Sequence, residues 1–233
     1  RKLFESAKKR AGSFRGQLVL CPPAAYLSEL SHNYRGSRIL FGAQDVSHER
    51  AGAFTGEISG AMLKSVGAAY ALVGHSERRA QGESNDAVGK KMSAALSSGL
   101  SPILCVGERM RDEHGDFFHV LEEQLRQGLA GIAESSLSRV TVAYEPVWTI
   151  GKRAENAMKP ADVHEMVIFI RKTLTQRYGR SAAGKVRILY GGSVEPDNIA
   201  GLLADGGVDG FLVGHVSIEP ARFAELLKII SAF

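Results

Sequence analysis

Residues 140–151 read VTVAYEPVWTIG. Five apolar or β-branched residues, Val140 to Tyr144, give way at once to a carboxylate, Glu145, and a proline. A run this short cannot stand as an isolated helix. It lacks the strict alternation of a half-exposed strand, and it fits a strand buried on both faces, as in a parallel sheet. The same form recurs along the chain, at 17–21 (QLVLC), 38–41 (RILF), 69–73 (AYALV), 102–106 (PILCV), 186–190 (VRILY) and 210–213 (GFLV). With 140–144 these make seven expected strands, each ending in polar or glycine residues.

Helical patterns lie between them. Ser84 is an N-cap candidate for a helix that runs to Ser98 and stops at Gly99. Residues 116–130 place Phe117, Val120, Leu121 and Leu125 on one stripe. Residues 160–178 open on a proline, keep Val163, Met166, Val167, Ile170 and Leu174 on one face, and stop at Gly179. Residues 220–232 repeat that form. Strand and helix in alternation mean βα units with right-handed crossovers. A helix-like segment, 1–10, precedes the first run, and a βα series that starts on a helix is short of one strand. The expectation is a single (β/α)8 barrel over residues 1–233 without its first strand, truncated at the N-terminus. An open dinucleotide-binding sheet loses support, because no Gly-x-Gly-x-x-Gly follows the first run.

Composition narrows the function classes. The chain has 233 residues, 44% hydrophobic and 23% charged, ordinary values for a globular protein. No apolar stretch reaches the roughly 18 residues of a membrane-spanning helix, and no signal peptide is visible after Arg1. Cys21 and Cys105 are too few for a disulfide scaffold, so free thiols and a reducing cytoplasm are expected. A net charge of +4 suits a small anionic ligand. Lys8, Lys9, Arg10 and Arg15 read as a solvated helix face, which makes nucleic acid the weakest partner. Glycine is abundant at 26 residues, so much of the backbone must turn sharply or approach something closely.

In a barrel the chemistry sits where the strands end. After 69–73 comes Gly74-His75-Ser76-Glu77-Arg78-Arg79, and after 140–144 comes Glu145 to Gly151. Gly191-Gly192-Ser193 follows 186–190, and Gly214-His215-Val216-Ser217 follows 210–213. His75 and Glu145 can move protons. The two small-residue turns can present backbone N–H groups to a phosphate. Together they suggest proton abstraction beside a carbonyl on a phosphorylated small molecule, with no cofactor and no metal. Each piece also has a plain structural reading: a hydrogen-bonded histidine, a solvated carboxylate, an ordinary glycine turn, a core tryptophan at 148, an ion-pair net in Glu77-Arg78-Arg79. Their common place at one end of one barrel favours chemistry.

Val73-Gly74-His75-Ser76-Glu77-Arg78-Arg79, Tyr144-Glu145-Pro146-Val147-Trp148 and Leu189-Tyr190-Gly191-Gly192-Ser193-Val194 match, in order, three signatures of a known family. On these, and on Gly42-Ala43-Gln44-Asp45, the 52–57 stretch GAFTGE and Cys105-Val106-Gly107-Glu108, the chain resembles the triosephosphate isomerases from its first helix to its C-terminus. The resemblance implies a TIM barrel and a homodimer whose 44–57 loop reaches its neighbour. It implies a cytoplasmic isomerase of glycolysis and gluconeogenesis, acting on a phosphorylated triose through an enediol, with no membrane or nucleic-acid partner. Glu145 is then the base and His75 the neutral electrophile, an arrangement that is a standard worked case of pKa tuning. Glu77 would stand beside that centre, and Gly151, Ser193, Gly214 and His215 would hold the phosphate.

Four features depart from the family. Its N-terminal Asn-x-Lys strand is missing, so the chain by itself is expected to turn over poorly. The lid reads Gly151-Lys152-Arg153-Ala154-Glu155-Asn156-Ala157 in place of Gly-Thr-Gly-Lys-Thr-Ala. His215 replaces the second glycine of a Gly-Gly pair, and the segment after Arg79 is short. These departures leave two competing readings: an isomerase of a longer ketose phosphate such as a tetrulose, or a non-catalytic derivative.

Overall fold

The structure, a computed structural model, describes residues 2–151 and 157–233. The expected alternation is present. Helix α1 (Lys2–Ala11) leads into β1 (Leu18–Leu20), α2 (Ala24–Asn33), β2 (Ile39–Ala43), α3 (Gly60–Ser65) and β3 (Tyr70–Val73). Then follow α4 (Ser76–Ala80), α5 (Asn85–Ser97), β4 (Ser101–Val106), α6 (Asp116–Gly128) and β5 (Thr141–Tyr144). The chain ends with α7 (Pro160–Ala183), β6 (Arg187–Tyr190), α8 (Ile199–Asp205), β7 (Gly210–Phe211) and α9 (Pro220–Ile230).

All seven described strands form one parallel sheet in chain order. Four residue pairs join each of the ladders β3–β4, β4–β5 and β5–β6, against two for β6–β7. The sheet curls so far that α1 packs on α9, with Ser6 Oγ donating to the Pro220 carbonyl at 3.1 Å. Arg187 of β6 also reaches Gln17, just before β1, at 3.3 Å. Among the described residues no ladder joins β7 to β1. A curled parallel sheet of this kind, wrapped by helices, is a (β/α)8 barrel lacking one strand.

Alternation along the strands divides the apolar residues into two cores. Leu72, Ile103, Cys105 and Ala143, with Cys21, Tyr70, Leu189 and Leu212 against them, come from the strands and their ends and fill the inside of the curl. The larger core lies between sheet and helices and includes Val88, Met92, Leu121, Leu125, Met166 and Ile170. Burial on both faces is why the runs read as continuous apolar segments. Ser84 caps α5 as expected, its side chain accepting from Ala87 N–H. One expectation is corrected. Val120 is 44% exposed, because the buried face of α6 runs through Phe117, Leu121, Gln124 and Leu125. The helix from Pro160 stops at Gly179 as expected, where the backbone turns to φ 78°, and a second short helical stretch follows it to Ala183.

Candidate active site

Gly74 ends β3 at φ 74° and turns the chain into the short helix α4. His75 is the N-cap of that helix: its Nδ1 accepts the Glu77 N–H at 3.3 Å. An amide N–H cannot turn away, so Nδ1 is bare in this arrangement and the proton of a neutral ring sits on Nε2. Nε2 lies 3.1 Å from Glu145 Oε1, across the barrel mouth. The other carboxylate oxygen, Oε2, accepts the Ser76 N–H at 3.0 Å. Glu145 is thus 2% exposed yet held by one side chain and one backbone donor. That bond at Nε2 lifts the His75 pKa above its ordinary value, against partial burial of the ring. The Glu77 amide works the other way, since protonating Nδ1 would set two N–H groups face to face.

Backbone contacts fix the base. Glu145 N–H donates to the Val106 carbonyl at 2.7 Å, which ties it to the end of β4. Gly107 follows there, and a Cβ on it would overlap the Glu145 carbonyl. Glycine is required by this close approach. Gln124 of α6 satisfies both backbone groups of Gly107, at 2.7 and 3.0 Å.

The basic residues after His75 are structural, as their ion-pair reading expected. Arg79 donates to the Gly74 carbonyl at 2.7 Å, to Asn85 at 2.6 Å and to the Cys105 carbonyl at 3.2 Å. Arg78 pairs with Asp45 at 2.8 Å, and the buried Lys91 joins Asp45 and Glu83 at 2.7 and 2.5 Å. This net anchors α4 and so the His75 ring. The Glu77 side chain takes no such part: it is 85% exposed, 3.9 Å from His75 Nδ1, and its backbone amide makes the closer contact.

Sequence reading missed Glu108 as a hub. Its Oε1 accepts from the Tyr144 hydroxyl and from Trp148 Nε1, both at 2.9 Å, with Arg111 Nε at 3.4 Å. Trp148 is therefore tethered by its indole N–H rather than merely packed, which holds the segment that leaves Glu145. That segment runs to Gly151, at φ 72°. Residues 152–156, including Arg153 and most of the lid, lie outside the described residues.

The two expected phosphate turns sit at the ends of β6 and β7. Ser193 is 1% exposed, in a turn closed by Asn198, whose Nδ2 donates to the Ser193 carbonyl at 2.9 Å. Gly214 precedes a 3-10 helix, His215–Ile218. A Cβ at Gly214 would meet nothing within 4 Å, so the backbone there faces open space. His215 Nε2 lies 2.8 Å from Glu195, a buried carboxylate that sequence reasoning did not single out. Cys21 and Cys105 are free thiols. Burial pushes the Cys21 pKa up to about 12 and raises that of Cys105, so neither is a ready thiolate. Among the described residues no group of three or more His, Cys, Asp or Glu could hold a metal ion.

The family profile described as "Triosephosphate isomerase" matches residues 1–230. A triosephosphate isomerase of Caldanaerobacter subterraneus subsp. tengcongensis is 42% identical over 229 residues, covering 97% of this chain and 92% of the relative. That of Carboxydothermus hydrogenoformans is 43% identical over 230 residues, covering 98% and 90%. The crystal structure of triosephosphate isomerase from Bartonella henselae superposes with a TM-score of 0.85 at 34% identity, covering 97% of this chain and 92% of that one. With the imidazole and carboxylate paired at the strand ends where the family's signatures fall, the chain belongs to the triosephosphate isomerase family.

Proposed function

We propose that the chain interconverts dihydroxyacetone phosphate and D-glyceraldehyde 3-phosphate, with Glu145 as the base and His75 as the electrophile. The observation that carries the reading is the polarity of the His75 ring: Nδ1 accepts from Glu77 N–H, leaving Nε2–H to donate at the site where Glu145 waits, 3.1 Å away.

The steps follow from these groups. Substrate enters between His75 and Glu145, and the carboxylate leaves the Ser76 amide to reach the carbon beside the carbonyl. Glu145 takes a proton from that carbon. The C–H electron pair becomes a C–C double bond and the carbonyl electrons move onto oxygen, giving an enediolate. Nε2–H of His75 hydrogen-bonds that oxygen as its charge grows, where a preorganised donor has its greatest effect. His75 passes protons between the two oxygens. Glu145 then returns a proton to the neighbouring carbon, and the aldose is formed. A neutral imidazole suits this, because its acidity is matched to that of the enediol and no proton is lost to a strongly acidic cation. The phosphate rests on the backbone of Gly151, Ser193, Gly214 and His215, and closure over it keeps water from the enediol phosphate.

The active form is a homodimer. Phe54, at the tip of the loop 44–57, is 45% exposed, and Met62 on the helix that follows is 58% exposed, apolar area that a second copy covers. The protein works in the cytoplasm, in glycolysis and gluconeogenesis. Two free cysteines fit a reducing compartment, and no described helix is long and apolar enough to cross a membrane. A coupled assay of triose phosphate interconversion tests the reading. The slow turnover expected of this chain should fall by about 10²–10⁴ in Glu145→Gln, and turnover that Glu145→Gln leaves unchanged would contradict the reading.

A further inference from the structure

The turn after β6 carries a buried carboxylate that the proton transfers do not use. Glu195 is 4% exposed. Its backbone is fixed within its own turn, where its N–H donates to Asn198 Oδ1 at 2.9 Å. Its side chain leaves that turn for two other segments. Oε1 lies 2.8 Å from Nε2 of His215, the first residue of the 3-10 helix after β7, and Oε2 accepts from Arg222 in the first turn of α9. Arg222 also faces Glu219 at 3.4 Å. One buried anion therefore joins three segments. Such a carboxylate is tolerable only with good partners, and removing one leaves charge under-compensated in a poorly solvated place.

His215 stands where these bonds have a consequence. The residue before it, Gly214, has no side chain, and its backbone faces open space. Val216, the next residue, is buried and anchors the 3-10 helix from below, while Gly214 and His215 lie on its open side, where the imidazole tether to Glu195 is the side-chain bond that joins this turn to the one after β6. The same tether fixes the distance from these groups to Ser193, two residues before Glu195 in the facing turn.

We propose that Glu195 and His215 are positioning residues for the substrate phosphate: their side-chain bond clamps the turn after β7 to the turn after β6, so that the backbone donors of both converge on one anion. The proposal rests on the isomerase reading above, which places the phosphate on these two turns. Arg222 supplies the permanent countercharge, so that Glu195 does not repel the dianion.

The test measures steady-state kinetics and inorganic phosphate affinity for the full chain and for His215→Ala, His215→Gln and Glu195→Gln. His215 is partly exposed and its truncation leaves Arg222 on Glu195, so His215→Ala keeps the fold. In His215→Ala the KM for triose phosphate and the Kd for inorganic phosphate should each rise about tenfold, the scale of one lost charge-assisted hydrogen bond. The rise in KM should exceed any fall in kcat. His215→Gln, which restores a neutral donor, should recover part of the loss, and Glu195→Gln should fall between. A lowered Tm with KM and Kd within twofold of the unmutated protein would overturn the clamp. An unmutated protein that binds phosphate and loses that binding in His215→Ala, with a turnover that Glu145→Gln leaves unchanged, would overturn the isomerase reading and leave the clamp in place.

Discussion

The two halves of the site are built differently. The His75–Glu145 half uses side chains, and they rise from β3 and β5, strands tied on β4 by four residue pairs each. The phosphate half uses backbone, and one of its turns leaves β7, which pairs with β6 over two residues. The first half is positioned by the sheet. The second lacks that support at its β7 turn and is held by added bonds: Asn198 across the β6 turn, Glu195 and His215 between the two. Chemistry that needs atoms placed within a fraction of an ångström sits on the rigid part, while anion capture tolerates a looser frame held by clamps.

The largest effect should come from breaking the rigid half at its base. Glu145→Gln keeps the shape and loses the proton acceptor, and kcat in the coupled assay should fall by about 10²–10⁴. Removing the electrophile, His75→Ala, should cost about 10²–10³ in kcat, the scale of one lost oxyanion donor. Both losses should exceed those at Glu195 and His215, and a larger loss in the phosphate half would reverse the comparison.

The rigid half should also be intolerant of added volume. Gly107→Ala drives a methyl into the Glu145 carbonyl. Urea unfolding should show about 1–3 kcal/mol lost, with kcat reduced because the base is displaced. Gly214→Ala, where a Cβ meets open space, should leave stability nearly unchanged. Equal stability losses would remove the distinction between packed and open backbone.

The next effect is electrostatic. Glu145 holds the His75 pKa above the ordinary 6.5. A raised folded-state value means that this pair stabilises the fold fully below pH 6.5 and ceases to do so as the pH rises through the raised value. NMR titration of the His75 ring should show a lower midpoint in Glu145→Gln than in the unmutated protein. The smallest effect is outside the site: Ser84→Ala removes the α5 cap and should cost about 1 kcal/mol in denaturant unfolding.

Most of the sheet was legible because burial on both faces writes itself as short apolar runs, and each of the seven overlaps a described strand. Val120 misled because apolar character alone does not place a residue on the buried stripe of α6. His75 and Glu145 were legible as proton-moving side chains at strand ends. Glu108 and Glu195 were not, because a buried carboxylate is recognised by its partners, and those lie 36 residues away at Tyr144 and 27 away at Arg222. The ring polarity of His75 depends on a backbone amide, which no sequence pattern displays. Glu77 shows the converse: its side chain suggested a role, and its N–H makes the contact.

The central claim is that one carboxylate, Glu145, carries the proton between adjacent carbons through an enediolate. Isomerisation of dihydroxyacetone phosphate in D2O, followed by mass spectrometry of the product, tests it most directly. A base that exchanges with solvent between the two transfers should place deuterium at the carbon that receives the proton, and Glu145→Gln should lose exchange and turnover together. Exchange or turnover undiminished in Glu145→Gln would contradict it.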